Sequence, residues 1–151
     1  MTGRRARGFT LIEVLAAVFV LAVGLTSVST LFVAGIISNR KAERMSAGVN
    51  AAQRELERLH SAGFSGCIVD AEVFASDEGY TIIQQNPDKT GQIGFSIPDQ
   101  PLMTGVIDIA YYTGPTGIYP NLKNVTVTVT WTGGGLTAGN TVLNTMIANR
   151  P

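Results

Sequence analysis

The stretch Arg7–Leu15, which reads RGFTLIEVL, joins a short basic segment to a long apolar one. The residues ahead of Phe9 include no acid, and their charges are three arginines, Arg4, Arg5 and Arg7. From Phe9 to Ile37 a single charged residue, Glu13, interrupts an uncharged run. About 20 apolar residues suffice to cross the hydrocarbon core of a bilayer. The run therefore predicts a membrane-spanning helix behind a basic leader.

Glu13 is the feature that a simple membrane anchor does not explain. A carboxylate within an apolar span costs roughly 3 kcal/mol on insertion scales, so such a residue normally has a partner. If the bond between Gly8 and Phe9 is cleaved, Phe9 presents a new α-amino group, in the same chain or in a neighbour. Gly8 has no side chain, which suits a tight protease subsite. Cleavage at this bond would therefore give the Glu13 carboxylate a cationic partner.

Residues 38–62 continue the helix in amphipathic form. Their apolar residues recur in steps of four, three, four and three, which places on one face Met45, Val49, Ala52, Leu56 and Leu59. Charged residues, Glu55 among them, are predicted on the other faces. No proline occurs between Phe9 and Ala62, so one helix of about 54 residues and roughly 80 Å is expected. Gly63 is predicted to mark its end.

The remainder of the chain predicts short strands and loops. The strongest strand is Asn124–Trp131, where valines alternate with threonines, so that the valines and Trp131 share one face. After the triple glycine 133–135, Asn140–Ala148 is expected to return as the second strand of a hairpin, although a short helix also fits it. Gly114–Gly117 is a turn signal. Shorter strands are predicted at Tyr80–Gln84, Ile93–Ile97 and Val106–Tyr112.

The segment from Arg4 to Leu25 resembles the prepilin signal of type IV pilins and type II secretion pseudopilins. Gly8 ends a basic leader, Phe9 begins the processed chain, and Glu13 is its fifth residue, ahead of a long apolar helix. The resemblance implies cleavage after Gly8 and N-methylation of Phe9 by a prepilin peptidase. It also implies an α+β pilin fold, in which a long N-terminal helix packs on a small antiparallel sheet.

Two departures from major pilins favour a minor subunit. Cys67 is the only cysteine, so the paired cysteines of many major pilins are missing. The proline common in their apolar helix is also missing, and Gly24 lies nearby. The sequence around Gly24 resembles that of V-type minor pilins or of minor pseudopilin I. The resemblance therefore implies a non-enzymatic subunit of a pilus, a pseudopilus or an initiation and tip complex.

This interpretation divides the chain into a leader at 1–8, a transmembrane or filament-core helix at 9–37, an amphipathic helical half at 38–62 and a β-rich head at 63–151. The implied partners are prepilin peptidase, other pilins or pseudopilins, and the inner-membrane assembly platform. Before assembly the chain is expected to cross the bacterial inner membrane once, with the N-terminus cytoplasmic and the head periplasmic. After assembly it is expected in a pilus or pseudopilus.

Composition and charge weigh against other functions. From residue 64 onward the bases are Lys89, Lys123 and Arg150, against seven acids, a balance that disfavours nucleic-acid binding. His60 is the only histidine, so no cofactor, catalytic triad or histidine-rich metal site is expected. The acids that are candidates for calcium do not have the spacing of an EF-hand loop, and a solvated acidic loop is favoured for Asp70, Glu72, Asp77 and Glu78.

Alternatives remain within and outside this interpretation. The head of a DNA-uptake or adhesion pilin would bind a ligand, and a basic stripe or aromatic cluster would favour that function. A membrane-anchored periplasmic enzyme is the alternative of a different class. A secretory signal peptide has an apolar core about half as long as this one. An ordinary anchor explains neither Glu13 nor the Gly8–Phe9 junction.

Overall fold

The computed structural model describes residues 10–70, 79–132 and 138–149. One long helix, α1, is followed by five strands of a single sheet in the order β1-β2-β3-β4-β5, and all neighbours are antiparallel. The predicted α+β architecture is confirmed. The elements are α1 (Leu11–Gly66), β1 (Tyr80–Gln85), β2 (Gly91–Ser96), β3 (Met103–Gly114), β4 (Gly117–Trp131) and β5 (Gly139–Ala148).

The chain divides into two compact units, Met1–Arg40 and Lys41–Pro151. In the first unit the apolar side chains of α1 are exposed, and Leu31 and Phe32 are 72% and 70% exposed. The helix is long and apolar enough to cross a membrane, with a mean hydropathy of 2.4 in its most apolar window. The hydroxyls of Thr26 and Ser27 donate to the carbonyl of Val23 at 2.9 and 2.8 Å. Hydroxyls satisfied within the helix in this way are compatible with an apolar environment.

In the second unit α1 packs on one face of the sheet. Val125, Val127 and Val129 of β4 are fully buried and Trp131 is 5% exposed, so the predicted alternation of this strand is confirmed. The core joins these valines to Ala52 and Leu59 of the helix and to apolar residues of the neighbouring strands, Ile93, Phe95, Ile107, Ile109 and Ile147.

The helical face that meets the sheet differs in part from the predicted one. Ala52 and Leu59 are buried as predicted, and Leu56 packs against the core. Met45 is 55% exposed, and the buried stripe consists of Gly48, Ala51, Ala52, Glu55 and Leu59. A Cβ on Gly48 would lie 3.2 Å from a ring carbon of Trp131, so a small residue lets the helix approach the indole. The prediction was wrong in placing Met45 on the packed face and in placing Glu55 away from it.

Gly63 breaks α1 close to its end. Gly63 has φ 70° and ψ −172°, which kinks the helix, and a short further turn runs to Gly66. The N–H of Cys67 donates to the carbonyl of Gly63 at 3.0 Å. The regular helix therefore breaks at Gly63, as predicted, because glycine adopts the positive φ that redirects the chain, and one short turn follows the break.

The strands lie where the sequence predicted them but differ in extent. β3 and β4 both extend several residues beyond the predicted ranges and meet at the predicted turn, with Gly114 pairing with Gly117. The segment from Gly139 to Ala148 is a strand, as expected, and not a helix. The triple glycine at 133–135 lies outside the described residues.

Candidate processing and assembly site

The residues of the predicted cleavage junction, Arg4, Arg5, Arg7, Gly8 and Phe9, lie outside the described residues. The structure begins at Thr10, and α1 begins at Leu11. The carbonyl of Thr10 accepts from the N–H groups of Glu13 and Val14 at 3.0 and 3.3 Å. The helix therefore starts two residues after the expected processed terminus, and Glu13 lies in its first turn with an exposed side chain.

The start of the helix gives Glu13 a local role that sequence reasoning missed. Thr10 and Glu13 have the T-x-x-E spacing of a capping box. An acid in the first turn also interacts favourably with the helix dipole, by about 0.3–1 kcal/mol. These effects explain an acid at the end of a helix. They do not offset the cost of placing a carboxylate beside the apolar Leu11 and Ile12 in a membrane.

In the second unit a buried carboxylate joins the helix to the sheet. Glu55 is 3% exposed, and its Oε2 accepts a 2.8 Å hydrogen bond from the hydroxyl of Tyr80 in β1. Arg54 Nε and Arg58 Nη1 lie 3.7 and 4.0 Å from the carboxylate oxygens, and the Arg58 guanidinium lies 4.8 Å from the centroid of the Tyr80 ring. Burial, followed by the hydrogen bond to Glu55 and its charge, raises the pKa of Tyr80.

A buried lysine caps the C-terminal end of α1. Lys123 of β4 is 3% exposed, and its Nζ donates to the carbonyls of Phe64 and Cys67 at 3.2 and 2.6 Å. The same nitrogen lies 4.6 Å from the centroid of the Phe64 ring. A cation is favourable at a helix C-terminus, and here the sheet supplies it. Burial lowers the pKa of Lys123, and the charge of Asp88 acts in the opposite direction.

The thiol of Cys67 is fully buried. Burial raises its pKa to about 11, although the charge of Lys123 acts in the opposite direction. A thiol with this pKa stays protonated at neutral pH, and reactive thiols need the thiolate. Cys67 is therefore a small apolar core residue.

The acidic side chains of the described head take part in pairs and turns. Asp70 Oδ2 lies 2.6 Å from Lys89 Nζ, and Asp88 accepts from the hydroxyl and N–H of Thr90 at 2.6 and 3.1 Å. The bonds from Thr90 lower the pKa of Asp88. Across residues 10–70, 79–132 and 138–149, no three His, Cys, Asp or Glu side chains group as a metal site. The other three calcium candidates, Glu72, Asp77 and Glu78, lie outside the described residues.

Comparison with known families matches residues 3–29 to the prokaryotic N-terminal methylation motif. The matched segment holds the leader, the predicted junction and the first part of α1. Comparison with curated proteins and with solved structures gave no significant match. The matched segment is followed by a long helix and an antiparallel sheet, which is the arrangement that the resemblance to type IV pilins and pseudopilins predicted. The match does not separate V-type minor pilins from minor pseudopilin I.

Proposed function

We propose that this chain is a minor type IV pilin-like structural subunit. It enters the membrane as a precursor, is cleaved after Gly8, is N-methylated at Phe9 and joins a pilus, a pseudopilus or its initiation complex. The observation that carries this proposal is the methylation motif at residues 3–29, which continues into a helix with exposed apolar side chains.

The apolar half of α1 is suited to two environments in succession, the lipid bilayer and the core of a filament. Side chains such as Val20, Leu25 and Phe32 are more than half exposed, and apolar surface is unfavourable in water at about 25 cal/mol per Å². Lipid covers this surface before assembly, and the helices of neighbouring subunits cover it afterwards. The assembly platform of the inner membrane and prepilin peptidase are the partners that this sequence of events requires.

In this proposal Glu13 fixes the axial position of each incoming subunit relative to its neighbour. The α-amino group of processed Phe9 precedes Glu13 by four residues, about 6 Å along a helix axis. In an apolar medium the attraction between an amine and a carboxylate is much stronger than in water. An incoming subunit whose Phe9 amine meets the Glu13 of an assembled subunit gains both attraction and a fixed axial position.

The cleavage step is tested with two glycine variants of the same leader. Gly8→Val places a branched side chain at the junction and is expected to leave the precursor at full length. Gly3→Val changes a leader glycine away from the junction and is expected to be processed normally. Immunoblots of cells that express prepilin peptidase report the two sizes. Normal processing of Gly8→Val, or equal failure of both variants, would contradict cleavage after Gly8.

The alternative functions receive less support from the head. In residues 79–132 and 138–149 the only bases are Lys89 and Lys123; Lys89 pairs with Asp70, and Lys123 is buried. Nucleic-acid binding requires an exposed basic surface. His60, the only histidine, lies exposed in α1. Within residues 79–132 and 138–149, no exposed basic stripe supports the DNA-uptake alternative and no histidine supports the enzyme alternative.

A further inference from the structure

β5 is an edge strand whose outer side is open. It is the last strand of the sheet, and in the part of the chain that the structure describes it pairs with β4 alone. Past its end, the N–H of Asn149 donates to the carbonyl of Asn121 at 2.8 Å, in register with the pairs of β4 and β5. Because bonding alternates along an antiparallel pair, the odd-numbered residues of β5 bond to β4. The backbone N–H and C=O groups of even-numbered residues, such as Val142 and Asn144, therefore point away from the sheet.

This edge lacks the features by which proteins prevent the addition of further strands. Natural edge strands are protected by charges, prolines, bulges or short length. β5, which reads GNTVLNTMIA, has ten residues without charge or proline, and its register with β4 continues without a shift. β1, at the opposite edge, has six residues and a register shift between Ile82 and Gln84. Of the two edges, β5 is therefore the one suited to accept another strand.

The flank of α1 on the side of β5 is apolar. His60 lines a cavity of about 520 Å³ with Ile147 and other residues at the end of β5, whereas Arg58 lies over the ring of Tyr80 in β1. Steps of four and seven residues along a helix keep side chains on one flank. Counted back from His60, these steps define what we call the α1 flank, which consists of Leu56, Val49 and Met45. The sheet leaves much of this flank uncovered, and Met45 is 55% exposed.

The edge of β5 and the α1 flank together form an open position for a sixth strand. A strand paired with β5 lies about 4.8 Å beyond it, and every second side chain of that strand faces the helix. Leu143 of β5 is half-buried and packs against the core from the same side. Neither β5 nor the α1 flank contains a charged residue. The occupant that fits is an extended segment without charges and with apolar residues at alternate positions.

A second copy of this chain does not fit this position. α1 and β5 run in the same direction, because Gly48 packs beside Thr141 and His60 lies near Ile147. Two β5 edges paired antiparallel are related by a rotation about an axis perpendicular to the sheet, which reverses one α1, whereas copies inserted by the same N-terminal signal share one direction. Two β5 edges paired parallel turn opposite faces to the helix. The second copy then places a polar residue, Asn144, on the side of the α1 flank.

We propose that the free edge of β5 and the α1 flank bind an extended, uncharged segment of a different pilin or pseudopilin as a sixth strand. Hydrogen bonds between main chains provide affinity in this mode of recognition, and pockets for alternate side chains provide specificity. The inference rests on the proposed function, in which other pilins or pseudopilins are the neighbours of a minor subunit.

Two substitutions at Asn144 test the backbone contact. Both remove the 3.0 Å bond from its side chain to Thr126, but only Asn144→Pro also removes the N–H at the free edge, where proline is compatible with an edge strand. The tagged full-length chain is purified from membranes at matched levels, and co-purified proteins that carry the N-terminal methylation motif are quantified by mass spectrometry. Asn144→Pro is expected to recover one of them about tenfold less well than Asn144→Ala. Equal recovery by the two variants, or recovery of second copies alone, overturns the proposal.

Hydrogen exchange measures the same contact without a substitution. In the chain purified alone, the amides of Val142 and Asn144 have no partner strand and are expected to exchange fast. In the chain purified together with the recovered subunit, their exchange is expected to be at least about tenfold slower, while the amides at the free edge of β1 remain unchanged. Unchanged exchange in β5, or equal slowing at both edges, overturns the proposal.

A charge on the α1 flank provides the third test. Met45→Asp places a carboxylate on the flank, and Asn50→Asp places one elsewhere on the exposed surface of the same helix. Met45→Asp is expected to reduce recovery of the partner by about tenfold, because an unpaired charge is unfavourable in an apolar contact, and Asn50→Asp is expected to leave it unchanged. Equal effects of the two variants contradict a contact at the flank. Normal processing and incorporation of Asn144→Pro contradict only the β5 contact, whereas an unprocessed leader contradicts only the proposed function.

Discussion

The hydroxyl of Tyr80, at the start of β1, donates a 2.8 Å hydrogen bond to Oε2 of Glu55 in α1. Glu55 is 3% exposed, and a buried carboxylate is costly unless its oxygens are paired. Arg58 lies near both partners, 4.0 Å from the carboxylate and 4.8 Å from the Tyr80 ring centroid. This contact joins the amphipathic half of the helix to the edge of the sheet.

Removing the Tyr80 hydroxyl is expected to destabilise the head. Tyr80→Phe should lower the free energy of unfolding by about 1–2 kcal/mol, because the charged acceptor on Glu55 loses a hydrogen bond. Tyr119→Phe is the matched control, since its hydroxyl bond to Thr116 is exposed and should contribute little. Urea unfolding of a fragment that begins near Ser38 measures both. Equal effects of the two variants would show that the Glu55 contact contributes nothing specific.

Lys123 is expected to contribute to stability although it is buried. Lys123→Met leaves the carbonyls of Phe64 and Cys67 without this donor and should cost about 1–3 kcal/mol. Lys89→Met removes a lysine whose side chain is half exposed beside Asp70, and it should cost less than about 1 kcal/mol. The same urea titration compares them. A Lys123→Met head as stable as the unaltered head would show that the lysine is not needed at the helix end.

Cys67 predicts a loss of stability at alkaline pH. Burial raises the thiol pKa from 9.0 to about 11, so the folded state holds its proton after the unfolded chain has lost it. The stability that this provides is present below about pH 9 and falls as the pH rises to about 11, by about 2–3 kcal/mol. Lys123 acts with the opposite sign because burial lowers its pKa.

The difference in unfolding free energy between the unaltered head and Cys67→Ala isolates the thiol. This difference is expected to be constant from pH 7 to pH 9 and then to shrink. A difference that stays constant through pH 11 would show that the thiol ionises in the folded state as readily as in the unfolded chain.

The sequence predicted the parts of the fold that depend on local pattern. The alternation of valine and threonine before Trp131 is enough to predict a half-buried strand, and the uncharged run after Phe9 is enough to predict the helix. The same spacing argument failed at Met45 and Glu55. A helical period shows which residues share a face, but the position of the sheet and of Tyr80 decides which face is buried.

For the processing and assembly site, the sequence predicted the motif but not the local structure around it. The residues around Gly8 and Phe9 predicted the methylation motif that the family comparison matches. The capping spacing of Thr10 and Glu13 was present in the sequence but was not recognised. Burial of Lys123 depends on carbonyls 56 and 59 residues away, and no local pattern encodes such a contact.

Glu13 is expected to matter for assembly more than for insertion or cleavage. Glu13→Val should insert and be processed, yet enter filaments at least about tenfold less well, because the Phe9 amine loses its partner in an apolar medium. Glu13→Gln keeps a residue that suits the capping box but removes the charge, and it should show the same defect. Co-purification with partner pilins at matched membrane levels measures incorporation. Normal incorporation of Glu13→Gln would show that the charge of Glu13 is not needed for assembly and that the residue acts only at the start of the helix.

The central claim is that the assembled subunit begins at Phe9. Mass spectrometry of the chain recovered from purified filaments, with sequencing of its N-terminal peptide, tests this directly. The account predicts a peptide that begins with N-methylated Phe9 and continues through Glu13, with the arginine-rich leader absent. An intact Met1 terminus on chains in functional filaments would contradict it.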